Sequence, residues 1–189
     1  MHIGLYFGSF NPIHIGHLII AEFVANNTDV QQVWFVVSPH NPLKSEASLL
    51  NEYNRLHLVN IAIEDNSKLK ATDVEFKLAR PSYTIDTLTY LQEKYPANQF
   101  SIILGSDSYQ NLPKWKNVDI LKRDYAFIVY QRPGYLVQPE PEVKATVLDA
   151  PLLEISATQI RKFIKNNTST RYILPEKVRM EIEANRYYK

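Results

Sequence analysis

Two histidines three residues apart, His14 and His17, bracket a glycine near the end of the stretch GSFNPIHIGH, residues 8–17. An imidazole can donate a hydrogen bond, carry a charge or ligate a metal, so the pair suits either a metal ion or a phosphate. Gly8 and Ser9 let the backbone turn sharply and come close to a ligand, and Pro12 stiffens the turn. Gly16 and His17 then lead into apolar residues at helical spacing. Such a turn delivers its side chains to a helix start, where unpaired N–H groups and the positive dipole end receive an anion. A metal site is disfavoured, because no third ligand of Cys, Asp or Glu type stands nearby at helical spacing. Read alone, HxxH is more readily a turn holding a core histidine; the whole string points instead to a phosphate clamp.

A second constellation is ISATQIR, residues 155–161. Ser156 or Thr158 can cap a helix, and hydroxyls beside the first N–H groups suit phosphate oxygens. Arg161 falls in the first turns of that helix, where a fixed guanidinium fits a polyphosphate. Alone this is an ordinary capping motif; paired with the first motif it gives two anion-binding helix starts. Asp107, just after a strand, could be a helix cap. Trp115 could be a core aromatic, Lys44 a solvated loop residue, and Arg132 could serve phosphate or structure.

These residues need a frame. Strands are expected at 2–7, 32–37, 69–76, 99–104, 125–130 and 145–149. Helical patterns fall at 16–26, 48–66, 84–95, 156–166 and 175–187. In the second of these, Leu49, Leu56, Val59 and Ile63 are expected to face inward. Thr84 is expected to cap the third, and Pro175 to take the first position of the last. The Pro-rich stretch 133–141 reads as a surface loop. Strand–helix alternation with near-continuous apolar strands predicts an α/β fold, Rossmann-like and doubly wound, with a mainly parallel sheet covered on both faces. Residues 1–189 are expected to form one domain, with a small helical part over about 151–189. Ligands in such sheets bind at the carboxyl ends of strands, near the switch in strand order. The first strand delivers GSFNPIHIGH to that edge.

Composition narrows the partners. Net charge is +1, from 21 basic and 20 acidic residues, which gives no electrostatic footprint for gripping long nucleic acid. With no cysteine, disulfides and thiolate zinc sites are excluded. No apolar run approaches the ~20 residues of a membrane span. No basic stretch leads into an apolar one at the N-terminus, so the cytoplasm is the expected compartment.

The two motifs together resemble the nucleotidyltransferase superfamily with its HxGH motif. Landmarks between them make the chain more closely similar to the bacterial nicotinate-nucleotide adenylyltransferases. RPSYTIDTL (80–88), GSDSYQNLPKWKN (105–117), QRPG (131–134) and SPHNPLK (38–44) fall in that family's order. The resemblance implies that His14 and His17 contact ATP phosphates, with His17 nearest the α-phosphate. It implies that Gly8, Ser9 and Phe10 bring backbone close to the two nucleotides, and that Gly105 and Asp107 hold the adenosine, Asp107 on the ribose. Ser156, Thr158 and Arg161 would grip the ATP phosphates. Tyr83, Thr84 and Trp115 would surround the nicotinate ring, and Lys44 would meet the mononucleotide phosphate. Three departures stand out. Asn11 replaces a common Asp, Ala157 replaces a common Ser, and the NPLK loop is shorter than usual, with Leu43 before the lysine and His40 as a candidate for the missing imidazole.

The implied reaction joins ATP and nicotinate mononucleotide into nicotinate adenine dinucleotide and pyrophosphate, with His14, His17 and Arg161 as the catalytic residues. A phosphate is already an anionic nucleophile, so catalysis would be positioning and charge neutralisation. Mg²⁺ would bridge the ATP phosphates and keep most of its waters, with no metal site built by the protein. No nucleic acid or membrane partner is implied, and a homo-oligomer is compatible. HIGH (14–17) is also the string of class I aminoacyl-tRNA synthetases, but 189 residues leave no room for tRNA-binding domains. Phosphopantetheine adenylyltransferase shares the phosphate motifs without explaining PSYTIDTL or the Trp115 segment. A nucleotide sensor that has lost catalysis fits poorly with intact His14, His17, Ser156, Thr158 and Arg161.

Overall fold

Every strand pairing in the sheet is parallel. The computed structural model describes residues 1–39, 49–137, 140–151 and 153–189. Among them the strands are β1 (His2–Gly8), β2 (Gln32–Val37), β3 (Leu69–Thr72), β4 (Gln99–Gly105), β5 (Ala126–Tyr130) and β6 (Ala145–Leu148). They lie in the order β3-β2-β1-β4-β5-β6. The helices are α1 (Ile15–Asn27), α2 (Glu52–Ile63), α3 (Thr84–Lys94), α4 (Ser106–Gln110), α5 (Val118–Asp124), α6 (Ala157–Lys165) and α7 (Glu176–Ala184).

The apolar strands are explained by two cores, one on each face of the sheet. Side chains alternate across a strand, so a strand buried on both faces is apolar throughout. In β2, Val33, Phe35 and Val37 join one core with Ile20 and Val24 of α1, Leu58 and Val59 of α2, Ile160 of α6 and Val178 of α7. Trp34 and Val36 join the other, with Leu88 and Leu91 of α3, Tyr109 of α4 and Leu121 of α5. The two C-terminal helices therefore share the core on the face that carries α1 and α2.

The chain winds outward from β1 to β3, returns through α3 to β4, and continues outward to β6. This is the doubly wound arrangement expected. Its switch point lies between β1 and β4, paired from His2 with Gln99 to Tyr6 with Ile103. The turns that follow, beginning at Gly8 and Gly105, leave the sheet at the same edge, where a crevice opens for a ligand.

Local differences have local causes. The third strand stops at Thr72, and a 3-10 turn over Val74–Lys77 follows, with the Thr72 hydroxyl accepting from Val74 N–H at 3.3 Å. The second helix starts at Glu52 because Asn51 caps it, accepting from Tyr53 N–H at 2.9 Å. Helices α4 and α5, of 5 and 7 residues, are too short to show a periodicity. Pro175 precedes the first residue of α7 rather than occupying it. Of the Pro-rich loop, residues 133–136 are exposed, as expected.

Candidate active site

The turn after β1 folds around its own aromatic ring. Phe10 takes a left-handed backbone (φ 44) and buries its side chain. The ring packs edge-on against Tyr6, Phe35 and His17, at centroid distances of 5.7, 5.3 and 5.1 Å. A Cβ on Gly8 would sit 2.8 Å from this ring, so the position needs glycine. With its ring turned inward, Phe10 can offer a ligand only its backbone.

His14 caps α1, and the rings of His14 and His17 stack at 3.7 Å. His14 N–H donates to His17 Nδ1 at 3.3 Å, which leaves Nε2 to carry the ring proton of a neutral His17. A Cβ on Gly16 would press on the His14 ring at 3.2 Å, so the HxGH glycine makes room for the first histidine. Burial, and then the nearby Arg132 guanidinium, push the His14 imidazole down to about 4. His14 is therefore neutral near pH 7, and its Nδ1 is buried with no hydrogen-bond partner among the described residues. The clamp is less cationic than two histidines suggest, because a ring in a low-dielectric setting beside a guanidinium sheds its proton. The helix start is also partly satisfied. Ile15 N–H donates to Ile173 carbonyl at 3.1 Å, and His17 N–H turns back to His14 carbonyl at 3.0 Å.

The second motif docks onto the first. Ser156 caps α6, accepting from Gln159 N–H at 3.2 Å. Arg161 donates from Nη1 to the Asn11 carbonyl at 2.8 Å and from Nη2 to Thr158 Oγ1 at 3.3 Å. One guanidinium thus ties the C-terminal motif to the turn that carries the histidines.

Across the switch point, Gly105 ends β4 and caps α4, which places Asp107 in the helix rather than at its cap. Asp107 Oδ1 lies 3.3 Å from Arg132 Nε. A Cβ on Gly105 would lie 2.5 Å from that oxygen and 2.9 Å from that nitrogen, so this glycine makes space for the ion pair. Arg132 also donates from Nη2 to Tyr130 Oη at 3.2 Å, Tyr6 Oη donates to the same oxygen at 3.3 Å, and Arg132 N–H donates to Ser106 Oγ at 2.8 Å. The Arg132 side chain thus pairs with Asp107 and acts electrostatically on His14.

The RPSYT segment lies at the start of α3. Tyr83, not Thr84, is the capping residue, since its carbonyl accepts the first intrahelical bond from Thr87 N–H at 3.2 Å. Thr84 is instead the first helical residue. Lys116 brings the Trp115 segment to this helix, with Nζ 3.0 Å from Asp86 Oδ2 and 4.8 Å from the Tyr83 ring centroid. Tyr83 is exposed, while Trp115 is partly buried against the second core. Lys44 and His40 lie outside the described residues.

One structural anchor lies outside both motifs. Arg55 is fully buried in α2. Its Nε donates to Leu50 carbonyl at 2.7 Å, Nη1 to Ser9 and Ser38 carbonyls at 2.6 and 2.8 Å, and Nη2 to Pro39 carbonyl at 2.9 Å. It pins together the turns after β1 and β2. Its only signal is position: Arg55 stands on the same helical stripe as Leu58, Val59 and Ile63.

The cytidylyltransferase-like family profile matches residues 5–163. A probable nicotinate-nucleotide adenylyltransferase of Flavobacterium psychrophilum is 49% identical over 192 residues, with 100% of each chain covered. The chain belongs to the nicotinate-nucleotide adenylyltransferases. A second member, from Flavobacterium johnsoniae, is 46% identical over 196 residues, again with 100% of both chains covered. Among solved structures, the fold resembles a Plasmodium falciparum nicotinic acid mononucleotide adenylyltransferase complexed with NaAD. The TM-score is 0.83 at 22% identity, with 99% of this chain and 97% of that one covered.

Within the nicotinate-nucleotide adenylyltransferases, two of the departures in this chain have a local account. Asn11 is buried, and its Oδ1 accepts from Leu50 N–H at 3.1 Å while its carbonyl holds Arg161. An amide oxygen serves that acceptor role without a buried charge. Ala157 is the first residue of α6, and Ser156 caps the helix without a second hydroxyl.

Proposed function

We propose that the protein transfers the adenylyl group of ATP to nicotinate mononucleotide, releasing pyrophosphate and forming nicotinate adenine dinucleotide. The observation that carries this is the junction at the switch point. Arg161 ties the ISATQIR helix to the HxGH turn, and across the switch point Arg132 ties Asp107 and Ser106 at the start of α4 to the end of β5. The RPSYT and Trp115 segments form a second neighbourhood suited to a planar ring.

In this reading the mononucleotide 5′-phosphate attacks the α-phosphorus of ATP in line. A bond forms from the attacking phosphate oxygen to that phosphorus, and the bond to the β-phosphate bridging oxygen breaks. Pyrophosphate leaves with that electron pair. No side chain becomes covalently attached. The protein positions two anions and stabilises the charge that develops between them. His17 donates from Nε2 to an α-phosphate oxygen. His14, being neutral, contributes a hydrogen bond and shape rather than charge. Ser156, Thr158 and Arg161 take the leaving phosphates, and Asp107 takes the ribose. The backbone of Gly8, Ser9 and Phe10 lines the floor, with Gly105 opposite. Tyr83 and Trp115 flank the nicotinate ring, Thr84 offers a helix-start N–H to its carboxylate, and Lys44 meets its phosphate.

Among the described residues no three His, Asp or Glu side chains gather as a metal cage. The donor set fits a polyphosphate, and Mg²⁺ bound to the ATP phosphates would supply further charge neutralisation there. Pyrophosphate release measured with ATP, Mg²⁺ and, in parallel, nicotinate mononucleotide, nicotinamide mononucleotide or phosphopantetheine tests the assignment. Release is expected with nicotinate mononucleotide at the highest kcat/KM. Release with phosphopantetheine alone, or with none of the three, overturns it.

A further inference from the structure

Glu75 is a buried carboxylate that the adenylyl-transfer reading leaves without a task. It is 2% exposed, in the 3-10 turn that follows β3. Its Oε2 accepts from Ser82 Oγ at 2.8 Å and its Oε1 from Thr87 Oγ1 at 3.0 Å. The Ser38 hydroxyl, just past the end of β2, also favours the ionised carboxyl. No lysine, arginine or histidine pairs with it among the described residues.

A carboxylate in such a place is costly to desolvate, and hydroxyl donors return only part of that. A packed apolar residue would serve stability as well. What a carboxyl adds is direction: its two oxygens hold two hydroxyls in fixed places, and while burial pushes the carboxyl up, those hydroxyls favour its ionised form. The two bonded hydroxyls bracket the segment of interest. Ser82 stands immediately before Tyr83, and Thr87 is the residue whose N–H closes the first turn of α3 on Tyr83 carbonyl. Fixing both sets the backbone that carries Tyr83 and the first N–H groups of α3, while Glu75 itself stays behind the surface.

We propose that Glu75 is a positioning residue for the acceptor nucleotide: it sets the entry and first turn of α3 so that Tyr83 and Thr84 meet the nicotinate ring. The proposal rests on the functional reading above for the identity of that ligand. It concerns the acceptor alone, since the hydroxyls Glu75 holds belong to the β2–β3–α3 side of the switch point. The ATP groups stand on α1, α4 and α6.

Glu75→Gln keeps the shape and one acceptor but turns the other oxygen into a donor, so only one of the two hydroxyls keeps its acceptor. The expected result is a KM for nicotinate mononucleotide raised about tenfold, with kcat and the KM for ATP within about twofold of wild type. Amide hydrogen exchange at residues 83–87, measured on the free protein, is expected to quicken by about tenfold as the first turn loosens. A role confined to stability would lower the melting temperature and leave the ratio of the two KM values unchanged, which overturns the proposal. If Glu75→Gln fails to fold, Ser82→Ala combined with Thr87→Val removes the same bonds from the other side and must raise the same KM. A wild-type protein inactive with nicotinate mononucleotide overturns the functional reading. Unaltered exchange at residues 83–87 overturns the role of Glu75 whatever the substrate proves to be.

Discussion

At the scale of single residues, the site is defined by what its groups are made to be. His14 is the clearest case. Folding takes its imidazole from an ordinary pKa of 6.5 to about 4, first by burial and then by Arg132. A group with a depressed folded pKa binds protons more readily when unfolded, so stability falls as pH drops from 6.5 toward 4. His14→Gln removes that linkage. Urea unfolding of the two proteins across this range is expected to show a shallower acid limb in the variant, by up to about 3 kcal/mol at the acid end. Parallel limbs would mean that His14 is not held neutral by the fold. The placement of His14, His17, Ser156, Thr158 and Arg161 in the first turns of two helices was legible because motif spacing ties residue type to helix starts. The neutrality of His14 was not, because Arg132 reaches it only through the folded sheet.

At the scale of elements, strands and long helices were readable where burial imposes a period. The two-faced core explains the unbroken apolar runs of β1, β2, β4 and β5. Helices α4 and α5 left no trace, since 5 and 7 residues complete fewer than two turns. Arg55 shows a different limit. A guanidinium on an apolar stripe looks like a break in the pattern, yet here it satisfies carbonyls of Leu50, Ser9, Ser38 and Pro39 at the root of the site. Arg55→Met fills similar space but strands those acceptors. Each buried acceptor left unpaired costs about 1–3 kcal/mol, and relaxation recovers part of it. Equilibrium unfolding is expected to show a loss of about 3 kcal/mol or more, accompanied by a fall in kcat/KM for both substrates. A variant as stable as wild type would show that the turns after β1 and β2 do not depend on this anchor.

At the scale of the whole molecule, the doubly wound sheet explains why motifs far apart in sequence act as one. Order β3-β2-β1-β4-β5-β6 places the turns after β1 and β4 side by side, and α6 and α7 pack on the face that carries α1. Arg161 then reaches the Asn11 carbonyl at 2.8 Å across 150 positions of sequence. The strand–helix alternation announced this topology. Which side chains would touch across it was not announced, and the Asp107–Arg132–Tyr130–Tyr6 chain had no sequence signature.

The central claim is that this junction carries adenylyl transfer to nicotinate mononucleotide, with His17 at the phosphate under attack. The most direct measurement is product formation, following nicotinate adenine dinucleotide and pyrophosphate by mass and by phosphate assay in wild type and in folded His17→Ala. The account predicts equimolar products from the wild type and a fall in kcat of about 100-fold or more in the variant. A wild type that forms no dinucleotide, or a His17→Ala protein that forms it undiminished, would contradict it.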